Sequence, residues 1–180
     1  MSKLFKIALA LAAVVIAVIG INSGYHVGKQ ANYPVAYSEF ITKYAAKNKL
    51  DPYLVMAVIK VESNYVPEAQ SKYASGLMQL TEETAEWNAK KMELEDYDYM
   101  DPETNIKIGC HYLRYLIDKY KNTDTALAAY NGGMGNVSKW LDNPEYSDDG
   151  KTLKNIPFKE TREYVKKVNH HWESYKQLYK

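Results

Sequence analysis

Glu62 stands where an apolar residue is due. Val55, Val58 and Ile59 occupy offsets 0, 3 and 4 of a helical stripe, and the next place on it, offset 7, is Glu62. At 100° per residue its side chain lies within about 20° of Val55 around the axis. A carboxyl in line with a buried stripe either marks the solvated end of the helix or is held in an apolar cleft. In a cleft the ionised form is disfavoured, the pKa climbs, and the group can deliver a proton near neutral pH. Glutamates at helix ends are common, and spacing alone leaves both readings open.

The residues that follow narrow the choice. Glu62-Ser63-Asn64-Tyr65 leads to Ser71 and then to Ala74-Ser75-Gly76-Leu77-Met78-Gln79. Further on come Asp101-Pro102-Glu103-Thr104-Asn105-Ile106, Ala129-Tyr130-Asn131-Gly132-Gly133 and Ile156-Pro157-Phe158-Lys159-Glu160-Thr161-Arg162-Glu163-Tyr164-Val165. In this order the segments resemble the soluble lytic transglycosylase (SLT) family, whose catalytic domain has a lysozyme-like fold. The resemblance runs from about Pro52 to Tyr175. It implies cleavage of the β-1,4 bond between N-acetylmuramic acid and N-acetylglucosamine in peptidoglycan. The products carry 1,6-anhydromuramic ends, because the sugar's own 6-hydroxyl attacks in place of water. Most glycosidases need two carboxylates, yet only Glu62 lies in a matching motif. With the nucleophile supplied by the substrate, Glu62 would serve first as acid and then as base.

The resemblance also implies roles for other matched positions. Ser71 would hydrogen-bond the N-acetyl or lactyl region of the muramic residue. Met78 and Gln79 would line the sugar cleft, Tyr130 would bring its hydroxyl close to Glu62 and the substrate, Asn131 would fix the following turn, and Glu160 would face the cleft. Arg162 and Tyr164 read as structural. Without the resemblance, Tyr130 and Tyr164 are ordinary half-buried helix tyrosines and Met78 a core filler. Two alternatives stay open: a hydrolase similar to goose-type lysozyme that uses water, and a non-catalytic domain that binds wall glycans. The sequence departs from the family pattern in two places. The stretch between Ser71 and Ala74 is one residue short, and Thr81-Glu82 replaces the usual Met-Pro.

Other chemistry is poorly supported. Glu93, Glu95, Asp96, Asp98 and Asp101 lack the central Gly and terminal Glu of an EF-hand loop. His170-His171 has no third ligand at useful spacing, and Cys110 has no positioned His, so neither a metal site, a cofactor nor a catalytic thiol is expected.

The elements that must position these residues are helical. Helix starts are expected at Ser38, at Asp51-Pro52, at Thr81 with Glu82 and Glu83 behind it, at Asp101-Pro102 and at Asp124. Asn131-Gly132-Gly133 is a stop signal. A short helix over Val137–Leu141 and a polar loop from Asp142 to Pro157 precede a long last helix carrying Tyr164, Val165, Val168, Trp172, Tyr175 and Leu178 on one face. Apart from marginal pieces no stretch alternates convincingly as a strand, so the class is all-α; the resemblance adds a lysozyme-like catalytic domain over 38–180, behind a linker over 26–37 and a signal-anchor or transmembrane helix over 1–25.

That segment reads Ile7 to Ile21 as apolar or Gly throughout, behind Lys3 and Lys6. Its length suits a membrane anchor, which needs roughly 20 residues; a cleaved signal has the same layout. Either way the domain is expected outside the cytoplasm, on peptidoglycan strands and within reach of a cell-envelope assembly. The 180 residues carry 23 Lys+Arg against 22 Asp+Glu, and without Lys3 and Lys6 the balance is −1. Such neutrality argues against a general nucleic-acid binder. A single cysteine excludes an intramolecular disulfide, and the 17 tyrosines suit wet, sugar-facing surfaces.

Overall fold

The computed structural model describes residues 15–17 and 32–180. Apart from 15–17, the expected membrane segment lies outside the described residues, as does the expected linker as far as residue 31. No helix among the described residues is long and apolar enough to cross a membrane. The chain divides into Met1–Pro34 and Val35–Lys180, and the elements named here belong to the second unit.

The helices, in chain order, are α1 (Ser38–Lys47), α2 (Pro52–Glu62), α3 (Glu82–Lys91), α4 (Pro102–Tyr120), α5 (Thr123–Gly132), α6 (Met134–Leu141) and α7 (Lys159–Tyr179). Between α2 and α3 a small antiparallel hairpin pairs β1 (Ala74–Ser75) with β2 (Leu80–Thr81), in the register Ala74 to Thr81 and Ser75 to Leu80. The hairpin was not foreseen, since two-residue strands are too short to show an alternation.

Three start signals cap as their residue types dictate. Asp51 accepts from the Tyr53 N–H at 2.9 Å, Thr81 from the Thr84 N–H at 3.1 Å and Asp101 from the Thr104 N–H at 2.9 Å. Each cap satisfies a helix-end donor and is worth about 1 kcal/mol. Two starts differ from expectation. Ser38 is the first helical residue, not the cap, which is Tyr37 in a left-handed conformation with no side-chain bond. Asn122, not Asp124, caps α5, accepting from the Thr125 N–H at 2.9 Å.

Helix α2 is the axle of the domain. Leu54 through Ile59 are all buried, so the helix is covered on every side rather than along one stripe, as befits a central helix. It packs chiefly along α7. The two are also pinned by the Tyr53 hydroxyl, which donates to the Tyr179 carbonyl at 2.7 Å, and by the Trp172 indole N–H, which donates to Asp51 at 2.8 Å. Full burial of each Val, Leu or Ile contributes about 1.5–3 kcal/mol. Helix α4 packs against α1, α3 and α5, with the Tyr44 hydroxyl donating to Glu103 at 2.8 Å and Lys43 pairing with the same carboxylate at 2.7 Å. The 142–157 loop is clamped by Arg162, which donates to the Ile156 carbonyl at 2.7 Å.

Candidate active site

Glu62 is the last residue of α2 and is half-buried. Ahead of it the helix is sealed, and behind it the chain turns sharply: Asn64 and Tyr65 have φ of 50° and 67°. Such left-handed conformations cost about 1–3 kcal/mol each for non-glycine residues. Tyr65 is held there by burial and by donating its hydroxyl to the Met56 carbonyl at 3.3 Å. The carboxyl is thereby fixed at the edge of the core. Loss of hydration raises its pKa from 4.5 to about 7. The Tyr164 hydroxyl opposes that rise. This hydroxyl is buried and lies close enough to favour the carboxylate. Among the described residues no second acid perturbs Glu62.

Around Glu62 a turn and two tyrosines form a cradle. Ser63 donates to the Leu77 carbonyl at 2.8 Å and back to the Ile59 carbonyl at 3.2 Å, joining the end of α2 to the Gly76–Gln79 turn. The Tyr130 hydroxyl, from α5, donates to the Met78 carbonyl at 2.8 Å. Its ring lies 5.3 Å from that of Tyr112. Burial first, and then the charge of Glu62, push the Tyr130 and Tyr164 phenols well above their usual pKa. Both stay protonated wherever Glu62 titrates.

The structure separates the other sequence-predicted residues. Gln79 sits at φ 46° with its amide donating to the Ala69 and Gly76 carbonyls, each at 2.9 Å, so its N–H groups serve the turn itself. Met78 is a correction. Its side chain is fully buried against Gly109, where an added Cβ would lie 2.3 Å from the sulfur, and it cannot line an open cleft. Ser71 is exposed, and its hydroxyl is engaged within its own turn with Ala74, accepting from the N–H at 3.0 Å and donating to the carbonyl at 3.2 Å. Asn131 and Glu160 line a cleft of about 500 Å³ with Gly132, Pro157, Phe158, Lys159 and Thr161.

Sequence reasoning missed three contributors. Tyr164 lies beside Glu62, and the two groups act on each other's titration. Ser63, within the Glu-Ser motif, ties the end of α2 to the turn. Asn105 is fully buried on α4 and bonded to the Gly76–Gln79 turn. A signal for Asn105 was present: at offsets 0, 3, 4 and 7, Asn105, Ile108, Gly109 and Tyr112 share one stripe, and all four are buried, so Asn105 is the polar exception there as Glu62 is on α2. No group of three or more His, Cys, Asp or Glu side chains among the described residues is placed to hold a metal. Burial raises the Cys110 thiol far above its usual range, which leaves it inert.

Comparison with known proteins converges on one family. The family model described as "Transglycosylase SLT domain" matches residues 39–153. The soluble lytic murein transglycosylase of Salmonella typhimurium is 38% identical over 146 residues, covering 77% of this chain and 23% of that protein. The crystal structure of the 70 kDa soluble lytic transglycosylase from Escherichia coli superposes with a TM-score of 0.71 at 34% identity, over 81% of this chain and 25% of the other. A complex of the 70 kDa soluble lytic transglycosylase with bulgecin A superposes with a TM-score of 0.72 at 31% identity, over 87% and 28%. The chain thus spans about a quarter of the length of these relatives.

Proposed function

This chain belongs to the transglycosylase SLT domain family, and from that membership we propose that it is a peptidoglycan lytic transglycosylase with Glu62 as its general acid and base. The observation that carries the reading is the lone carboxyl: half-buried, raised to about 7, and without a second acid acting on it among the described residues. A retaining glycosidase places its second carboxyl about 5–5.5 Å away, where it would perturb the first strongly. A single carboxyl suffices when the nucleophile belongs to the sugar. Glu62, in its neutral form, donates its proton to the leaving glycosidic oxygen. As carboxylate it then takes the proton of the muramic 6-hydroxyl, whose oxygen closes onto the anomeric carbon. Each transfer is worth about 10²- to 10⁴-fold.

In this scheme Tyr164 is a neutral phenol that addresses the carboxyl, and Tyr130, its proton given to the Met78 carbonyl, holds the neighbouring turn. Asn131 and Glu160 contact the glycan in their own cleft, and the exposed Ser71 and the Gln79 turn border the path of the chain. The apolar run behind Lys3 and Lys6 holds the enzyme at, or delivers it across, a membrane, where it cuts locally beside a cell-envelope assembly.

Mass spectrometry of digested peptidoglycan tests the reading. Fragments ending in 1,6-anhydromuramic acid, one water lighter than hydrolytic products, are expected. Reducing muramic ends alone would assign the chain to the muramidase-type hydrolases instead.

A further inference from the structure

One buried side chain ties the Gly76–Gln79 turn to α4. Asn105 is fully buried, and its amide is spent on three backbone groups. Its Oδ1 accepts from the Met78 N–H at 2.7 Å, and its Nδ2 donates to the Tyr99 carbonyl at 2.8 Å and the Ser75 carbonyl at 3.2 Å. Only an uncharged group offering one acceptor and two donors from the same carbon satisfies all three. Gly76, at φ +80°, is pressed so closely on it that an added Cβ would lie 2.2 Å from Nδ2.

Asn105 is itself referenced to a rigid frame. It lies in the first turn of α4, below the Asp101 cap, and its N–H donates to the Asp101 carbonyl at 2.8 Å. On the other side, the turn receives the Ser63 hydroxyl on Leu77 and the Tyr130 hydroxyl on Met78. One residue, Met78, is thus held by Asn105 at its N–H and by Tyr130 at its carbonyl, on the two peptide groups that flank its Cα. We propose that Asn105 is a positioning residue for the reaction at Glu62: it sets the height of this turn, and through it the placement of the Tyr130 hydroxyl and of the Glu62–Ser63 helix end. The proposal rests on the reading of Glu62 as general acid and base. Its energetic basis is leverage, since a displacement of about 1 Å in such a constellation costs on the order of 10²-fold in rate.

The test pairs Asn105→Ser with Asn88→Ser in the full chain. Asn88 is an equally buried amide on α3, donating to the Thr84 carbonyl at 2.8 Å and lying 2.7 Å from the His111 ring nitrogen, with neither bond made to the turn. A positioning role predicts that Asn105→Ser lowers kcat on peptidoglycan by about 10-fold or more with KM within about three-fold, while Asn88→Ser leaves kcat within about three-fold. Combined with Tyr130→Phe, Asn105→Ser should add no more than about three-fold to the larger single loss, as residues acting through one contact do. The NMR titration of the Glu62 carboxyl should move in Asn105→Ser and stay in Asn88→Ser. Equal losses in the two Asn variants, additive losses in the double variant, or an unmoved Glu62 titration would each overturn the proposal. Should the wild-type chain not cut peptidoglycan, the functional reading fails, and the titration alone decides the role of Asn105. If Asn105→Ser does not fold, Gly76→Ala, which disturbs the same contact, is read by the same criteria. Failure of both to fold would make Asn105 a stability residue only and sink the idea.

Discussion

The Glu62 cradle and the Asn131–Glu160 cleft are built on opposite principles. In the cradle, Ser63, Asn105 and Tyr130 are each committed to a backbone group, and Glu62 sits at the edge of a sealed helix. In the cleft, Lys159 and Glu160 are exposed, and Phe158 is 50% exposed with its ring set edge-on against Trp140 at 4.9 Å. The first arrangement fixes geometry and shifts a proton affinity. The second presents an apolar ring and free polar groups, the pairing that suits a sugar chain. Under the proposed function the contrast would separate bond breaking from recognition, and substitutions in the two regions should fail differently.

The largest effect belongs to Glu62→Gln. This near-isostere cannot give or take the proton, so cleavage should fall by about 10²- to 10⁴-fold, the worth of a positioned acid–base group, while glycan binding persists in a pull-down with insoluble peptidoglycan. A variant that retained its rate would break the comparison at its root.

The same substitution should stabilise the fold. Folding raises the Glu62 pKa from 4.5 to about 7, so between those values the native chain binds more protons than the unfolded one. Stability attributable to this group therefore falls as pH rises through that window. Above it, the half-buried charge costs about 1–3 kcal/mol after allowance for its partial exposure. Glu62→Gln should melt higher than wild type at pH 8 and alike at pH 4. Identical melting at pH 8 would place Glu62 in water and remove the cradle's defining property.

These expectations start from features that were legible in the sequence, and their limits are physical. Glu62 could be picked out because one polar residue interrupts a helical period. The caps at Asp51, Thr81 and Asp101 were legible because capping is local, spanning two or three residues. The cradle was not, since it is made by bonds that span 14, 27 and 52 positions, from Ser63 to Leu77, from Met78 to Asn105 and from Tyr130 to Met78. Periodicity carries no record of such pairings. Met78 failed for a related reason: a motif says that a residue matters, not whether it faces the core or the cleft. Tyr164 looked structural because it belongs to the buried face of α7, which is also where Glu62 meets it.

Tyr164 gives a smaller and more specific prediction. Catalysis by neutral Glu62 should decline on the alkaline side through about pH 7. Because the Tyr164 hydroxyl lowers the Glu62 pKa, Tyr164→Phe should move that alkaline limb of kcat/KM upward, with the acid-side plateau kept. A downward shift, or none, would mean that the phenol does not address the carboxyl and that the cradle is held by Tyr130 alone.

The smallest effect is expected in the cleft. Glu160 is exposed and is absent from the influences on Glu62, so Glu160→Gln should raise KM for peptidoglycan by about three- to ten-fold and leave kcat within about two-fold, the pattern of lost uniform binding. Phe158→Ala should behave alike, since an apolar platform contributes to bound substrate and transition state equally. The informative failure is a loss of kcat in Glu160→Gln comparable to that of Glu62→Gln. Glu160 would then be a second working carboxyl, and the chemistry would pass to an acid–base pair acting on water, for which an inverting enzyme needs its carboxyls about 6.5–9.5 Å apart. Product analysis of that variant and of wild type would agree on reducing ends. A kcat that holds while KM rises keeps the division between a rigid reacting centre and an open binding wall.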